Sequence, residues 1–217
     1  MGRMTSHNPS QAGAPHGTEA IDLDRLYAPP AESILKGVLP ELTDFHADYL
    51  RAATFFCLAT GSSGGLDASP RGGPPGFVQV LDARTVAFAD WPGNNRLASL
   101  RNLEEDARVA LLFLFPGLEV FLRINGRARL SRASELLARL AESGKTPKLG
   151  VVVDIDETLF HCGKAINRAR LWAPESQLDR AVLPSIGRMK AAVMGLDEGQ
   201  VAQVDAHYTH AVRHDLY

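Results

Sequence analysis

Between Thr54 and Leu130 the chain alternates short apolar runs with turn-forming clusters, a spacing too tight for helices of ordinary length. Phe55-Phe56-Cys57-Leu58-Ala59-Thr60 leads into Gly61-Ser62-Ser63-Gly64-Gly65, whose glycines supply the permissive φ angles of a hairpin connection. The return over 66–71 contains Pro70, which cannot donate to a ladder and so argues for an edge, a bulge or a break in pairing. Phe77–Leu81 and Thr85–Asp90 form the next hairpin around Asp82-Ala83-Arg84, and Val109–Phe115 and Val120–Leu130 flank a Pro116-Gly117 turn. Leu149–Ile155 resumes a strand. Short antiparallel strands in hairpin order, with helices at their ends, predict a mainly β fold closed into a small barrel, because closure removes exposed edges.

Helical periodicity flanks these runs. Ile34, Leu35 and Val38 precede Pro40, and Leu42, Phe45, Tyr49 and Leu50 follow with Thr43 or Asp44 as the cap. Leu97, Leu100 and Leu103 mark a short helix beginning near Asn94; Leu136, Leu137 and Leu140 mark one capped by Ser131 and stopped at Gly144. Residues 163–172 read as helix, stopped at Pro174, and Met189, Val193, Met194, Val201 and Val204 belong to one or two helices over the barrel. Residues 1–20 read as a disordered leader ahead of a single domain over 21–217. Met1-Gly2-Arg3-Met4-Thr5-Ser6 also fits the short and permissive myristoylation pattern.

The charge balance narrows the partner. Lys+Arg of 23 against Asp+Glu of 25 leaves no basic field for nucleic acid or an anionic membrane, so a small molecule is the expected ligand. No stretch reaches the roughly 18 apolar residues of a membrane span. Cys57 and Cys162 lie in apolar runs, in no metal-like spacing, and read as buried reduced thiols in a cytoplasmic protein without a metal.

Two segments carry the strongest chemical signal. Gly93-Asn94-Asn95-Arg96 brings two carboxamides and a guanidinium to a helix start, where free N–H groups and the helix dipole favour a phosphate; the bland alternative is that Asn94 caps the helix and Arg96 is solvated. Ser69-Pro70-Arg71-Gly72-Gly73-Pro74-Pro75-Gly76 interrupts a strand with residues that stiffen it and remove bulk, which suits backbone pressed against a flat ligand. A third stretch, Phe160 to Trp172, gathers His161, Cys162, Lys164, Arg168, Arg170 and Trp172, a set able to recognise an anionic aromatic ligand or simply to form a surface helix.

Val153-Asp154-Ile155-Asp156-Glu157-Thr158 resembles the nucleophile motif of haloacid-dehalogenase-type phosphatases, which would imply a magnesium-dependent reaction at Asp154. Too little chain follows Thr158 for that family's doubly wound domain, and the hairpin-rich sequence before it points elsewhere.

Together, Asp67 to Gly72, Pro92 to Asn102 and Phe160 to Ala165 resemble the pyridoxamine 5′-phosphate oxidase-like flavoproteins. The resemblance implies a split β-barrel homodimer with FMN at the subunit interface, acting as an FMN-dependent oxidoreductase on a small-molecule substrate with a nicotinamide electron donor. It places Ser69, Pro70, Arg71 and Gly72 along the isoalloxazine, Phe88, Ala89 and Asp90 beside it, and Asn94, Asn95 and Arg96 at the phosphate. Cys162, Lys164, Arg168 and Trp172 would close the pocket from the partner subunit. Arg71 would stabilise negative charge on reduced flavin, and His161 is the candidate for proton delivery. The C-terminal arginine and histidine arrangement of true pyridoxamine phosphate oxidases is not recognisable, which argues against vitamin B6 as substrate. The alternative is a flavin- or haem-binding module for storage or sensing.

Overall fold

The computed structural model describes residues 21–217, so the leader and the myristoylation pattern lie outside the described residues. The chain divides into two compact units between Lys36 and Gly37. The described part of the first holds α1 (Leu23–Leu26), capped by Asp22, which accepts from the Arg25 N–H at 3.3 Å, and α2 (Glu32–Lys36), spanned by a Glu32–Lys36 ion pair at 2.7 Å. Neither buries a side chain.

The second unit opens with α3 (Asp44–Ala52), whose cap is Thr43. His46, one turn in, accepts the Thr43 N–H on Nδ1 at 3.1 Å and stacks on Phe160 at 4.7 Å, so burial holds its pKa below the usual imidazole range. Seven strands follow: β1 (Phe55–Ser62), β2 (Gly65–Gly72), β3 (Val78–Asp82), β4 (Thr85–Asp90), β5 (Arg108–Leu114), β6 (Val120–Ser131) and β7 (Leu149–Cys162). Between them lie α4 (Ala98–Glu105) and α5 (Ser134–Arg139); α6 (Lys164–Ala169), α7 (Ile186–Met194) and α8 (Glu198–His214) complete the unit. Among the described residues no helix is long and apolar enough to cross a membrane.

All pairings are antiparallel, in the order β2-β1-β5-β6-β7-β4-β3. Alternation in β1 and β5 sends Phe56, Leu58, Leu111 and Phe113 to one side, where they are fully buried. The sheet curls: Phe56 of β1 meets Phe88 of β4 edge to face at 5.0 Å, although three strands separate β1 from β4 in the ladder. The two edges, β2 and β3, are not hydrogen-bonded to each other, so the barrel is split along that seam rather than closed. Pro70 occupies such an edge, where its missing N–H costs no ladder bond.

Three local expectations are corrected. The helix expected from Asn94 begins at Ala98, because Asn94 turns its side chain back on the loop. The helix expected to be capped by Ser131 begins at Ser134, and the Ser131 hydroxyl accepts from the Ala133 N–H at 3.3 Å. Cys57 is only half-buried because it stands on the outward side of β1, and Cys162 is exposed because it is the last residue of β7, although it shares the inward side with Thr158 and Phe160.

The phosphatase-like run lies in β7, paired antiparallel to β6 on one side and β4 on the other, with Asp154 in an ion pair to Arg129. That is an interior strand of an antiparallel sheet and not the parallel strand of a doubly wound domain. Gly126 is required opposite the bulge that β7 makes at Asp156: a Cβ there would overlap the Asp154 carbonyl.

Candidate functional site

The split seam opens into a cavity of about 740 Å³, within the range of small-molecule sites. One wall is β2 from Asp67 to Gly72, another the end of β4 with Ala89 and Asp90, and the third the loop from Trp91 to Leu97 and the first turn of α4. Of the sequence-derived site residues, Ser69, Pro70, Arg71, Gly72, Ala89, Asp90, Asn94, Asn95 and Arg96 all line it. Phe88 does not: its ring is 1% exposed, inside the aromatic core, because alternation along β4 turns it away.

Hydrogen bonds tie the two segments together. Ser99 donates to Asp67 Oδ2 at 2.6 Å and Ser69 donates to the same oxygen at 2.7 Å; Arg71 then donates from one terminal nitrogen to Ser99 Oγ at 3.2 Å. The two hydroxyls hold the Asp67 carboxyl below the usual carboxylate range, with Arg71 and Arg96 adding to the effect. The Arg71 Nε–H is buried and has no partner in the protein, an orphan donor beside the cavity. Asp90 is the converse: burial pushes its pKa up, against the opposing pull of Arg71.

The loop is shaped for an anion. Asn94 Oδ1 accepts the Arg96 N–H at 3.0 Å, and Asn95 and Leu97 both adopt left-handed φ, near +57° and +55°, at a cost of about 1–2 kcal/mol for a residue such as leucine. No side chain caps α4, so its first-turn N–H groups face the cavity with the positive end of the helix dipole. Arg96 and Lys148 line the same space, and none of the ion pairs among the described residues uses them. Three cations therefore stand against two carboxylates, Asp67 and Asp90.

Sequence reasoning left Asp67, Trp91, Ser99 and Lys148 out of the site. Asp67 and Ser99 stand inside the two quoted segments, so their spacing was the available signal; Lys148 carries none, since only the pairing of Leu149 with Asp90 brings it to the cavity. Trp91 forms the rim, donating to Glu142 at 3.2 Å and meeting Tyr217 edge to face at 4.9 Å.

The third segment lies elsewhere. Lys148 precedes the start of β7, whereas Cys162 ends that 14-residue strand, on the order of 40 Å further along its path. Cys162, Lys164 and Arg168 are exposed there, and Trp172 donates to the Leu118 carbonyl at 2.8 Å. His161 shares this end, its pKa lowered by burial and by Arg123. None of these residues lines the cavity of its own chain.

The family described as pyridoxamine 5′-phosphate oxidase matches residues 42–162, more than half of the chain. Among curated proteins, none matches. HupZ from Group A Streptococcus is similar in structure at 13% identity, with a TM-score of 0.44 over 54% of this chain and 91% of that one. An FMN-binding protein from Syntrophomonas wolfei aligns at 16% identity over 52% of this chain and 78% of its own, with a TM-score of 0.39. An FAD binding protein from Mycobacterium smegmatis aligns at 17% identity over 57% of this chain and 99% of its own, with a TM-score of 0.38.

Proposed function

This chain belongs to the pyridoxamine 5′-phosphate oxidase family, and from that premise we propose that it binds FMN in the seam cavity and serves as an FMN-dependent oxidoreductase acting on a small molecule, as a homodimer. The observation that carries the reading is the junction of the two segments: Asp67, Ser99 and Arg71 are joined by hydrogen bonds, so a cationic loop and a proline-stiffened strand share one cavity. The donor set fits a phosphorylated ring compound. Free helix N–H groups and Arg96 suit the phosphate, and the orphan Arg71 Nε–H suits a carbonyl or nitrogen at a ring edge. When bound, FMN supplies hydride and electron transfer. The chain's part is to hold the phosphate, to fix a guanidinium beside the ring and, through Asp90, to offer a carboxyl whose raised pKa makes it readier to keep a proton.

The outward face of the sheet supports the dimer. Pro70, Cys57, Leu112, Arg123 and Leu159 stand in one cross-strand row, Ala68, Ala59, Ala110, Asn125 and Glu157 in the next. This is a largely apolar surface with Leu112 38% exposed. Glu157 Oε1 accepts from both Arg123 and Asn125 at 2.8 Å, which neutralises the one guanidinium in these two rows, as an apolar interface between copies requires. The exposed Lys164 and Arg168 then come to the cavity from the partner subunit.

A non-catalytic flavin-binding module is the second reading, since His161, the sequence-based proton donor, does not line the cavity of its own chain and would meet a flavin only through the proposed dimer. The test is a visible absorption spectrum of the purified protein followed by FMN titration. A flavin spectrum is expected, with Arg96→Ala weakening FMN about ten- to a hundredfold; equal affinity in both proteins overturns the phosphate assignment. Reduction by a nicotinamide donor with onward transfer to an acceptor separates enzyme from module.

A further inference from the structure

Ser99 stands in the first turn of α4 and is 2% exposed, yet its hydroxyl does not serve that helix. Its single proton goes to Asp67, which turns a lone pair toward Arg71. The other terminal nitrogen of Arg71 donates to the Pro70 carbonyl at 2.9 Å. Both ends of the guanidinium are thus fixed, one on backbone and one on Ser99, while the Nε–H is left over.

Resting on the FMN reading, we propose that Asp67 and Ser99 are positioning residues: Asp67 sets the direction of the Ser99 hydroxyl, Ser99 fixes Arg71, and the pair thereby sets how strongly the cavity holds a phosphorylated ring compound. The arrangement does two things at once. It spends rotamer freedom of Arg71 before any ligand arrives, so less is lost on binding. It also commits the one hydroxyl in the first turn of α4 to Asp67, which leaves the helix N–H groups available to an anion. Two hydroxyl donors on one carboxylate oxygen make the anchor strong, because hydrogen bonds to charged groups exceed neutral ones.

The test uses the full chain in two measurements. The first needs no ligand: in ¹⁵N-arginine-labelled protein, the Arg71 Nε–H resonance is expected to be ordered and slowly exchanging in wild type, and averaged with fast exchange in Ser99→Ala and in Asp67→Asn. An unchanged resonance in both variants overturns the proposal. The second is a double-mutant cycle read by FMN titration. Ser99→Ala is expected to weaken FMN about tenfold alone but at most about twofold in the Arg71→Ala background. A full tenfold loss in both backgrounds shows that Ser99 acts independently of Arg71 and also overturns it. If wild type fails to bind FMN while the Arg71 resonance responds as expected, the FMN reading falls and the positioning role stands.

Discussion

The two ends of β7 pose opposite problems. At Leu149 the strand borders a cavity whose Arg71 is fixed by Ser99 and a backbone carbonyl, with Ser99 itself held on Asp67. At Cys162 it opens into α6, where Lys164 and Arg168 are exposed and Trp172 is tied only to a loop carbonyl. The first end is preorganised by one chain, its side-chain entropy already spent. The second offers exposed charges beside an indole that its own chain holds by a single hydrogen bond. Gly163 marks how that end is built, since a Cβ there would overlap the Glu119 backbone: the chain turns tightly off β7 beside the residue that precedes β6, and α6 starts from that turn.

The sharpest way to break this contrast is to separate two copies. Leu112→Asp places a charge in the centre of the apolar outer face while touching nothing in the core, since Leu112 is already 38% exposed. The expected result is a dimer weakened by about a hundredfold in sedimentation measurements, with the melting temperature of the monomer little changed. FMN retention is expected to fall with it, because the proposed contribution of Lys164 and Trp172 from the partner subunit is then lost. A monomeric variant that binds FMN as wild type does would show that the Leu149 end is complete by itself.

A smaller effect is expected from the far end alone. Trp172→Ala leaves the sheet face intact and removes one aromatic surface, so FMN affinity is expected to drop about fivefold in titrations of the dimer. An unchanged affinity would make the indole a brace for the turn at Leu118, whose carbonyl it already holds.

The same contrast explains what could be read from the amino-acid order. Pro70 announced an edge strand, and Gly61 to Gly65 a hairpin, because both act within a few residues. Open edges at β2 and β3 were beyond that reading, since hairpin order specifies neighbours and not whether the last strand returns to the first. Asn94 shows the limit within the site: its residue type suits a cap, but its side chain bonds the Arg96 N–H and the helix starts later, a choice made by the left-handed Asn95 and Leu97 between them. Lys148 could not be found at all, because its place depends on the register of β7 against β4, a long-range pairing with no local signature.

Asp90 gives the smallest expected effect and the finest test of the preorganised end. Its carboxylate is half-buried, burial raises its pKa, and Arg71 offsets that only in part. The folded chain therefore binds this proton more tightly than the unfolded chain does. The stability this contributes is fully present below the unfolded carboxylate pKa and is lost as pH rises through the raised folded one. Asp90→Asn removes the charge and keeps the shape. Melting curves of mutant and wild type are expected to coincide below about pH 3.8. The gap then opens in favour of the mutant as pH rises through the raised folded pKa. A cavity side chain whose removal stabilises the fold is one the fold does not need. If Asp90→Asn instead lowers the melting temperature at neutral pH, the carboxylate is holding Arg71 in place, and Ser99 shares that task with a second anchor.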